Sequence, residues 1–189
     1  METVEKPKEA KKISLDFDVK GKTGNDIIKF KKLNIEFGEK KILNNLDFNL
    51  YHGERICIIG KNGAGKSTLI KTIISACKEE KIDGFVSGDI KLGGNISIGY
   101  IPQEIHFENE EQAVIDDFRN YFSGEETRLR STLVHFGFTG ESIFKPVGKL
   151  SGGEKVKLLL CELIQSKVNI LVFDEPTNHI DADTRNTLE

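Results

Sequence analysis

The stretch RICIIGKNGAGKSTLIKTII, residues 55–74, decides the fold. Residues 55–59 are a short apolar run rich in β-branched side chains, which predicts a buried strand. Gly60 to Ser67 match the pattern G-x-x-x-x-G-K-[ST], and apolar residues then recur at helical spacing. A strand, a glycine-rich loop and a helix in this order predict an α/β fold with a phosphate-binding loop. The alternative is a glycine-rich turn before an amphipathic helix, with no ligand.

Each part of this loop suits an anion. Glycines let backbone N–H groups converge on a phosphate, and the N-terminus of the following helix adds its dipole. The Lys66 side chain can reach the outer phosphates, and the Ser67 hydroxyl can ligate Mg²⁺. The predicted nucleotide-binding residues of the loop are Gly60, Lys61, Asn62, Gly63, Ala64, Gly65, Lys66, Ser67 and Thr68.

Length and composition limit the remaining possibilities. A chain of 189 residues is long enough for one sizeable core, and a net charge of −3 shows no basic excess for nucleic acid. The sequence has no apolar run long enough to span a membrane and no signal peptide, so it predicts a soluble, cytoplasmic protein. Cys57, Cys77 and Cys161 lie in apolar contexts and are predicted to be reduced core thiols. The histidines lack zinc-type spacing, so no structural metal is expected.

The flanking segments predict a sheet beside the loop and a small helical layer inserted later in the chain. Residues 1–12 are rich in Lys and Glu and predict a charged tail or linker. Alternation and turn residues predict strands that form a mostly antiparallel sheet, at 13–19, 27–37 and 42–50. Short strands with tight turns are predicted over 85–101. Apolar residues at three- and four-residue steps predict a small helical layer, at 111–122 and 125–136.

The last third of the chain carries two further polar clusters. Ser151 is a plausible N-cap of the next helix, with Glu154 as its capping-box partner. Residues 169–173 predict a buried strand that delivers Asp174 and Glu175 at its carboxyl end, where α/β proteins place their chemistry.

Five motifs in order resemble an ATP-binding-cassette (ABC) domain, from about Ile13 to the end of the chain: GKNGAGKS, YIPQE, LSGGE, ILVFDE and PTNHID. The resemblance implies a P-loop NTPase (RecA-like) core with an antiparallel β subdomain and a small helical subdomain. Within the family, PTNHID, KPVGKLSGGEK and DIKLGGNISIGYIPQ are similar to the ABC-F group, soluble ATPases that act on the ribosome. The opening LDFDVKG resembles the end of the linker that precedes a second cassette.

The resemblance also implies roles for individual residues. Phe37 matches the aromatic that stacks on adenine, although a core phenylalanine is the alternative. Mg²⁺ would be held by Ser67, Gln103 and Asp174. Glu175 would orient and deprotonate the attacking water, the alternative being a buried structural carboxylate. In the family, the signature residues face the nucleotide of a second cassette, so a partner cassette is expected; here they are Ser151, Gly152, Gly153 and Glu154.

One departure from the family pattern is expected to matter. The strand that carries the family's switch histidine would follow the PTNHID loop, and the sequence reaches Glu189 before it. On this basis the cassette is expected to be truncated, with weakened nucleotide binding and poor hydrolysis. Three functions stay open: an ABC-F translation or antibiotic-resistance factor acting on the ribosome, the ATPase subunit of a membrane transporter, or a non-catalytic cassette that serves as a binding module.

Overall fold

The computed structural model describes residues 25–174, which divide into two compact units. Residues 25–102 together with Lys167–Asp174 form the first, here called the nucleotide unit. Residues 103–166 form the second, here called the helical unit. The predicted strand at 13–19, the charged tail, Glu175 and the PTNHID loop lie outside the described residues. Among the residues that are described, no helix is long and apolar enough to cross a membrane.

The nucleotide unit begins with an antiparallel sheet of three strands, as predicted. Strand β1 (Asp26–Phe37) lies in the middle, between β2 (Lys40–Tyr51) and β3 (Phe85–Leu92). Alternate side chains of β1 point into the core, where Leu33 and Ile35 are fully buried. The predicted break at Gly38 is the turn of the β1–β2 hairpin, with Gly38 at a φ of 59°.

A parallel pair of strands and one helix complete the nucleotide unit. Helix α1 (Lys66–Cys77) follows the glycine loop, and β4 (Ile98–Ile101) pairs in parallel with β5 (Ile170–Phe173). Side chains from both sheets and the helix share one core, built around Ile27, Ile28, Phe30, Leu33, Ile35, Leu69, Ile73 and Ile170. The predicted helix and the predicted short strands are therefore confirmed.

The predicted strand at residues 55–59 is wrong. None of these residues is assigned to a strand, and the side chains of Ile56 and Ile59 are 46% and 89% exposed. A strand needs a neighbour that accepts its backbone hydrogen bonds, and no described strand pairs with this run. Cys57 is exposed for the same reason, so its assignment as a core thiol is also wrong.

The other two cysteines agree better with the prediction. Cys161 is buried and Cys77 is half-buried. Burial raises the pKa of the Cys77 thiol to about 11, and it also raises the pKa of Cys161. Both thiols keep their protons at neutral pH and are poor nucleophiles.

The helical unit contains three α-helices. They are α2 (Val114–Arg119), α3 (Glu126–His135) and α4 (Gly152–Gln165), with short 3₁₀ turns at Gly140–Phe144 and Val147–Lys149. The first helix is shorter than the predicted 111–122 because Ala113 forms a β-bridge with Pro146. Its first apolar residue, Val114, donates its backbone N–H to the carbonyl of Lys145 at 3.1 Å. The core is lined by apolar side chains from all three helices, with Phe118, Leu133 and Leu158 fully buried.

Candidate nucleotide-binding site

The glycine loop closes around the end of the Lys66 side chain. Lys66 Nζ donates to the carbonyl oxygens of Gly60, at 2.8 Å, and Lys61, at 3.1 Å. The Ala64 N–H donates back to the Lys61 carbonyl at 3.1 Å, which tightens the turn. The Lys66 ammonium group, which has several N–H donors, is thereby held inside the loop. One of its hydrogen bonds to a carbonyl oxygen can there be replaced by a hydrogen bond to a phosphate oxygen.

Glycine is required at position 65, where the loop meets strand β2. Gly65 has a φ of 94°, and a Cβ added there would lie 3.0 Å from Ile42 Cγ2 and 3.2 Å from the Ile42 carbonyl oxygen. A side chain would therefore face both backbone strain and a clash with β2. The close approach fixes the loop against the antiparallel sheet.

The N-terminus of α1 is open to an anion. Its N-cap is Gly65, so no side chain caps the helix, and the first turn contains no acidic residue. The N–H groups of a first helical turn have no partner within the helix, and the helix dipole favours negative charge there. The Ser67 side chain is exposed on this turn. This turn therefore offers the donors that a phosphate group requires, and phosphate binding at residues 60–68 stays a prediction.

Phe37 lies at the hairpin end of β1, near the same loop. It pairs with Lys40 across the turn, and Ile42, two residues farther along β2, contacts Gly65. The ring is 44% exposed, so Phe37 is not a core residue of the described unit. A solvent-facing aromatic close to a phosphate loop can offer a stacking surface to a base.

Asp174 is fixed at the carboxyl end of β5. Its N–H donates to the carbonyl of Ile101 at 3.0 Å, which extends the parallel pairing by one residue. The Tyr100 hydroxyl donates to Asp174 Oδ2 at 3.3 Å. Burial raises the pKa of Tyr100, and the charge of Asp174 and the hydrogen bond raise it further. Tyr100 was not predicted as a site residue, although it lies three residues before Gln103 on the strand that pairs with β5.

The oxygen donors of the nucleotide unit fit Mg²⁺. Ser67 contributes a hydroxyl and Asp174 a carboxylate, which are hard ligands of the type that this ion prefers. Gln103 is an exposed residue of the helical unit. The structure thus places two of the three predicted metal ligands in one unit.

The signature residues open α4 with the predicted capping box. Glu154 N–H donates to Ser151 Oγ at 3.3 Å, and the Ser151 N–H donates to Glu154 Oε2 at 2.7 Å. Lys145 Nζ also donates to Glu154 Oε2, at 3.1 Å. Partial burial raises the pKa of Glu154, but the Ser151 N–H and Lys145 outweigh it and hold this pKa below its usual value. The Ser151 hydroxyl proton remains available to a ligand, beside the N–H groups of Gly152 and Gly153.

Comparison with known proteins places the chain in a family. Residues 43–178, more than half of the chain, match the family model described as ABC transporter. The chain belongs to the ABC transporter family. The matched range of this ABC cassette begins at Leu43 of β2, beside the phosphate loop, and extends past the signature helix and β5.

The curated relatives of the cassette include ABC-F-type ATP-binding proteins. It is 36% identical over 192 residues to the ATP-binding protein YdiF of Bacillus subtilis, covering 100% of this chain and 29% of that protein. It is 32% identical over 177 residues to the ribosome protection protein VmlR of the same organism, covering 94% of this chain and 31% of that protein. The chain thus spans about a third or less of the length of these two relatives.

Transporter ATPases are also similar to the cassette. The zinc import ATP-binding protein ZnuC of Haemophilus influenzae is 35% identical over 155 residues, covering 82% of this chain and 56% of that protein. A solved metal-chelate type ABC transporter in an inward-facing conformation superimposes with a TM-score of 0.64 at 21% identity, covering 87% of this chain and 66% of that one. This likeness confirms the P-loop NTPase fold.

Proposed function

We propose that this cassette binds ATP with Mg²⁺ at residues 60–68, hydrolyses it together with a second cassette, and works in a soluble ABC-F protein on the ribosome. The observation that carries the binding site is the position of Lys66. Its ammonium group lies inside the glycine loop, at the uncapped N-terminus of α1. A fixed cation, free N–H groups and a helix dipole converge there on the place where a phosphate would lie.

Individual residues have separate roles in this proposal. The Phe37 ring would stack on the adenine, while Lys66 and the backbone of 62–68 would hold the β- and γ-phosphates. Ser67 and Asp174 of the nucleotide unit would hold Mg²⁺, whose bound charge neutralises phosphate oxygens. Glu175, next in sequence to Asp174, would accept a proton from the attacking water and orient it.

A second cassette is proposed because the signature residues form a second anion site in a different unit. Ser151 Oγ and the N–H groups that begin α4 can donate to a γ-phosphate. Glu154 is already occupied by Ser151 and Lys145, so it supports this N-terminus rather than binding the ligand. Each cassette would supply one phosphate loop and one signature helix to a pair of composite sites.

The ribosomal role is supported by the relatives. VmlR is described as a ribosome protection protein, and it matches 94% of this chain. The motifs PTNHID and KPVGKLSGGEK favour the same group. Antibiotic resistance, translation and a cytoplasmic location would follow from that role. The transporter alternative is supported by ZnuC, a zinc import ATP-binding protein that matches 82% of this chain.

Nucleotide binding can be tested on the 189-residue chain with a fluorescent ATP analogue and Mg²⁺. We expect Lys66→Ala to weaken binding about 10- to 100-fold, because charge-assisted hydrogen bonds to phosphate are lost. Lys71→Ala is the matched control, since Lys71 is exposed on the same helix. Equal affinity of the Lys66→Ala variant and the unchanged chain would contradict the proposed site.

Hydrolysis needs a different experiment, which separates the catalytic proposal from a binding module. Phosphate release by the chain is measured with and without a complementary cassette, and with Glu175→Gln. We expect turnover only with the partner, and its loss in Glu175→Gln with binding retained. Nucleotide binding without turnover in every mixture would favour the non-catalytic module.

Sedimentation distinguishes the ribosomal proposal from transport. A protein that contains this cassette is expected to sediment with ribosomes in the presence of a non-hydrolysable ATP analogue, and to be released when the analogue is omitted. The Lys66→Ala variant should stay in the supernatant in both conditions. Copurification with a membrane permease, and not with ribosomes, would favour the transporter alternative.

A further inference from the structure

The ends of strands β4 and β5 hold two polar side chains together. The strands pair in parallel, with Tyr100 opposite Val172 and Ile101 opposite Phe173. The Asp174 N–H donates to the Ile101 carbonyl at 3.0 Å, so the backbone of Asp174 is fixed by β4. The Tyr100 hydroxyl reaches along the same edge and donates to Asp174 Oδ2 at 3.3 Å.

This arrangement leaves the two carboxylate oxygens of Asp174 in different situations. Oδ2 accepts the phenolic hydrogen bond, whereas no residue of the described range 25–174 donates to Oδ1, which can face a cation or water bound by one. A tyrosine is suited to this task because it is a neutral donor with a rigid ring. It can fix the orientation of a carboxylate and leave the negative charge of that carboxylate available to a cation. A lysine in the same place would neutralise this charge.

We propose that Tyr100 is a positioning residue for the metal, and that its hydroxyl orients the Asp174 carboxylate so that Oδ1 faces the Mg²⁺ that accompanies ATP. The inference rests on the proposed function, because Asp174 is a metal ligand only if the loop binds MgATP. Tyr100 touches neither nucleotide nor metal in this scheme and acts through Asp174. Hydrogen-bond partners of metal ligands commonly change metal affinity by 10- to 100-fold when they are removed.

The test compares Tyr100→Phe with the unchanged 189-residue chain. Binding of a fluorescent ATP analogue is measured first in EDTA and then as Mg²⁺ is added. In EDTA, we expect the two proteins to bind the analogue with equal affinity. The Mg²⁺ concentration that gives the half-maximal response should be about tenfold higher for Tyr100→Phe than for the unchanged chain. Binding of Mn²⁺, followed by its electron paramagnetic resonance signal, should weaken by a similar factor. Tyr51→Phe, which removes a phenol from the same unit, should leave both measurements unchanged.

A double variant shows whether the effect passes through Asp174. In Asp174→Asn, a further Tyr100→Phe change should alter the Mg²⁺ response by less than twofold, because the hydroxyl then has no carboxylate to orient. If Tyr100→Phe raises the Mg²⁺ concentration for half-maximal response about tenfold in the Asp174→Asn background as well, the proposal is overturned. Equal weakening of binding in EDTA and in Mg²⁺, together with a lower melting temperature, would also overturn it and leave Tyr100 with a structural role.

Failure of the proposed function gives a different result. If the unchanged chain binds no nucleotide, or binds it equally with and without Mg²⁺, then the metal site and the role of Tyr100 are both wrong. If the unchanged chain responds to Mg²⁺ and Tyr100→Phe responds identically, the nucleotide site stands and only the role of Tyr100 is wrong.

Discussion

Asp117 on α2 and Glu162 on α4 share a hydrogen bond in the core of the helical unit, with only 7% and 4% of their surfaces exposed. Burial, together with the hydrogen bond and the charge of Asp117, raises the pKa of Glu162 to about 9. Burial also raises the pKa of Asp117. One oxygen of each, Asp117 Oδ2 and Glu162 Oε1, has no partner in the described structure. Glu108, Tyr121 and Cys161 interact electrostatically with the pair, and none of these three carries a positive charge.

This pair predicts that the helical unit loses stability as the pH rises. Above its ordinary pKa of 4.5, unfolded Glu162 is ionised, while the folded form keeps its proton up to about pH 9. Between these values the unfolded state binds fewer protons, so the free energy of unfolding falls with increasing pH. We expect Glu162→Gln to raise it by about 1–3 kcal/mol at pH 8 and to change it little at pH 5.

Urea unfolding at pH 5, 6.5 and 8 measures this effect. Glu111→Gln is the control, because Glu111 has an exposed side chain in the same unit. The prediction fails if Glu162→Gln shifts the unfolding midpoint equally at all three pH values.

Ser151 is predicted to have two separable roles. Ser151→Ala should lower the free energy of unfolding by about 1 kcal/mol, because the capping box of α4 is lost. Ser151→Asp should keep the cap and the stability, yet its charge should repel a phosphate presented by a partner cassette and abolish turnover with that partner. Urea unfolding measures the stability of each variant, and phosphate release measures its turnover with the partner cassette. Full turnover in Ser151→Asp would exclude a phosphate at this helix.

Phe37 is predicted to recognise the base and not the phosphates. Phe37→Ala should weaken ATP binding about fivefold or more, since stacking of a base on an aromatic contributes about 1–3 kcal/mol. Binding of tripolyphosphate, which has no base, should not change. Phe85→Ala is the matched control: Phe85 is 68% exposed and pairs with Glu36, the neighbour of Phe37. Isothermal titration of both ligands provides the measurement, and equal losses for both would argue against stacking.

Gly88 is predicted to be indispensable to the antiparallel sheet. It has a φ of 103°, and an added Cβ would lie 2.4 Å from the carbonyl oxygen of Lys32 on β1. We expect Gly88→Ala to lower the free energy of unfolding by about 2 kcal/mol or more. Gly94→Ala should stay within about 0.5 kcal/mol, because nothing lies within 4 Å of its added Cβ. Thermal unfolding of the two variants would show no difference if the close approach at Gly88 were unimportant.

Features that depend on neighbouring residues could be predicted from the sequence. The glycine loop before α1 and the capping box at Ser151 and Glu154 are local patterns with a fixed spacing, and the structure contains both. The hairpin at Gly38 was also predictable, because a glycine that adopts a positive φ ends the alternation of β1.

Features that depend on distant partners could not be predicted in the same way. Residues 55–59 have the composition of a strand, but composition does not supply a neighbouring strand. The contact of Tyr100 with Asp174 joins residues 74 positions apart and depends on the register of two parallel strands. Asp117 lies in a segment that was predicted as a helix from its apolar spacing, and it is buried because α4 packs against that helix.

The exposed run at residues 55–59 also affects how the purified protein behaves on storage. Ile56 and Ile59 face solvent in a segment of high β-propensity whose backbone pairs with no described strand. Such segments seed pairing between molecules. We expect particle size in light scattering to grow with protein concentration, while the exposed Cys57 thiol becomes slower to alkylate. Self-association through residues 55–59 would then limit how long the purified protein can be stored.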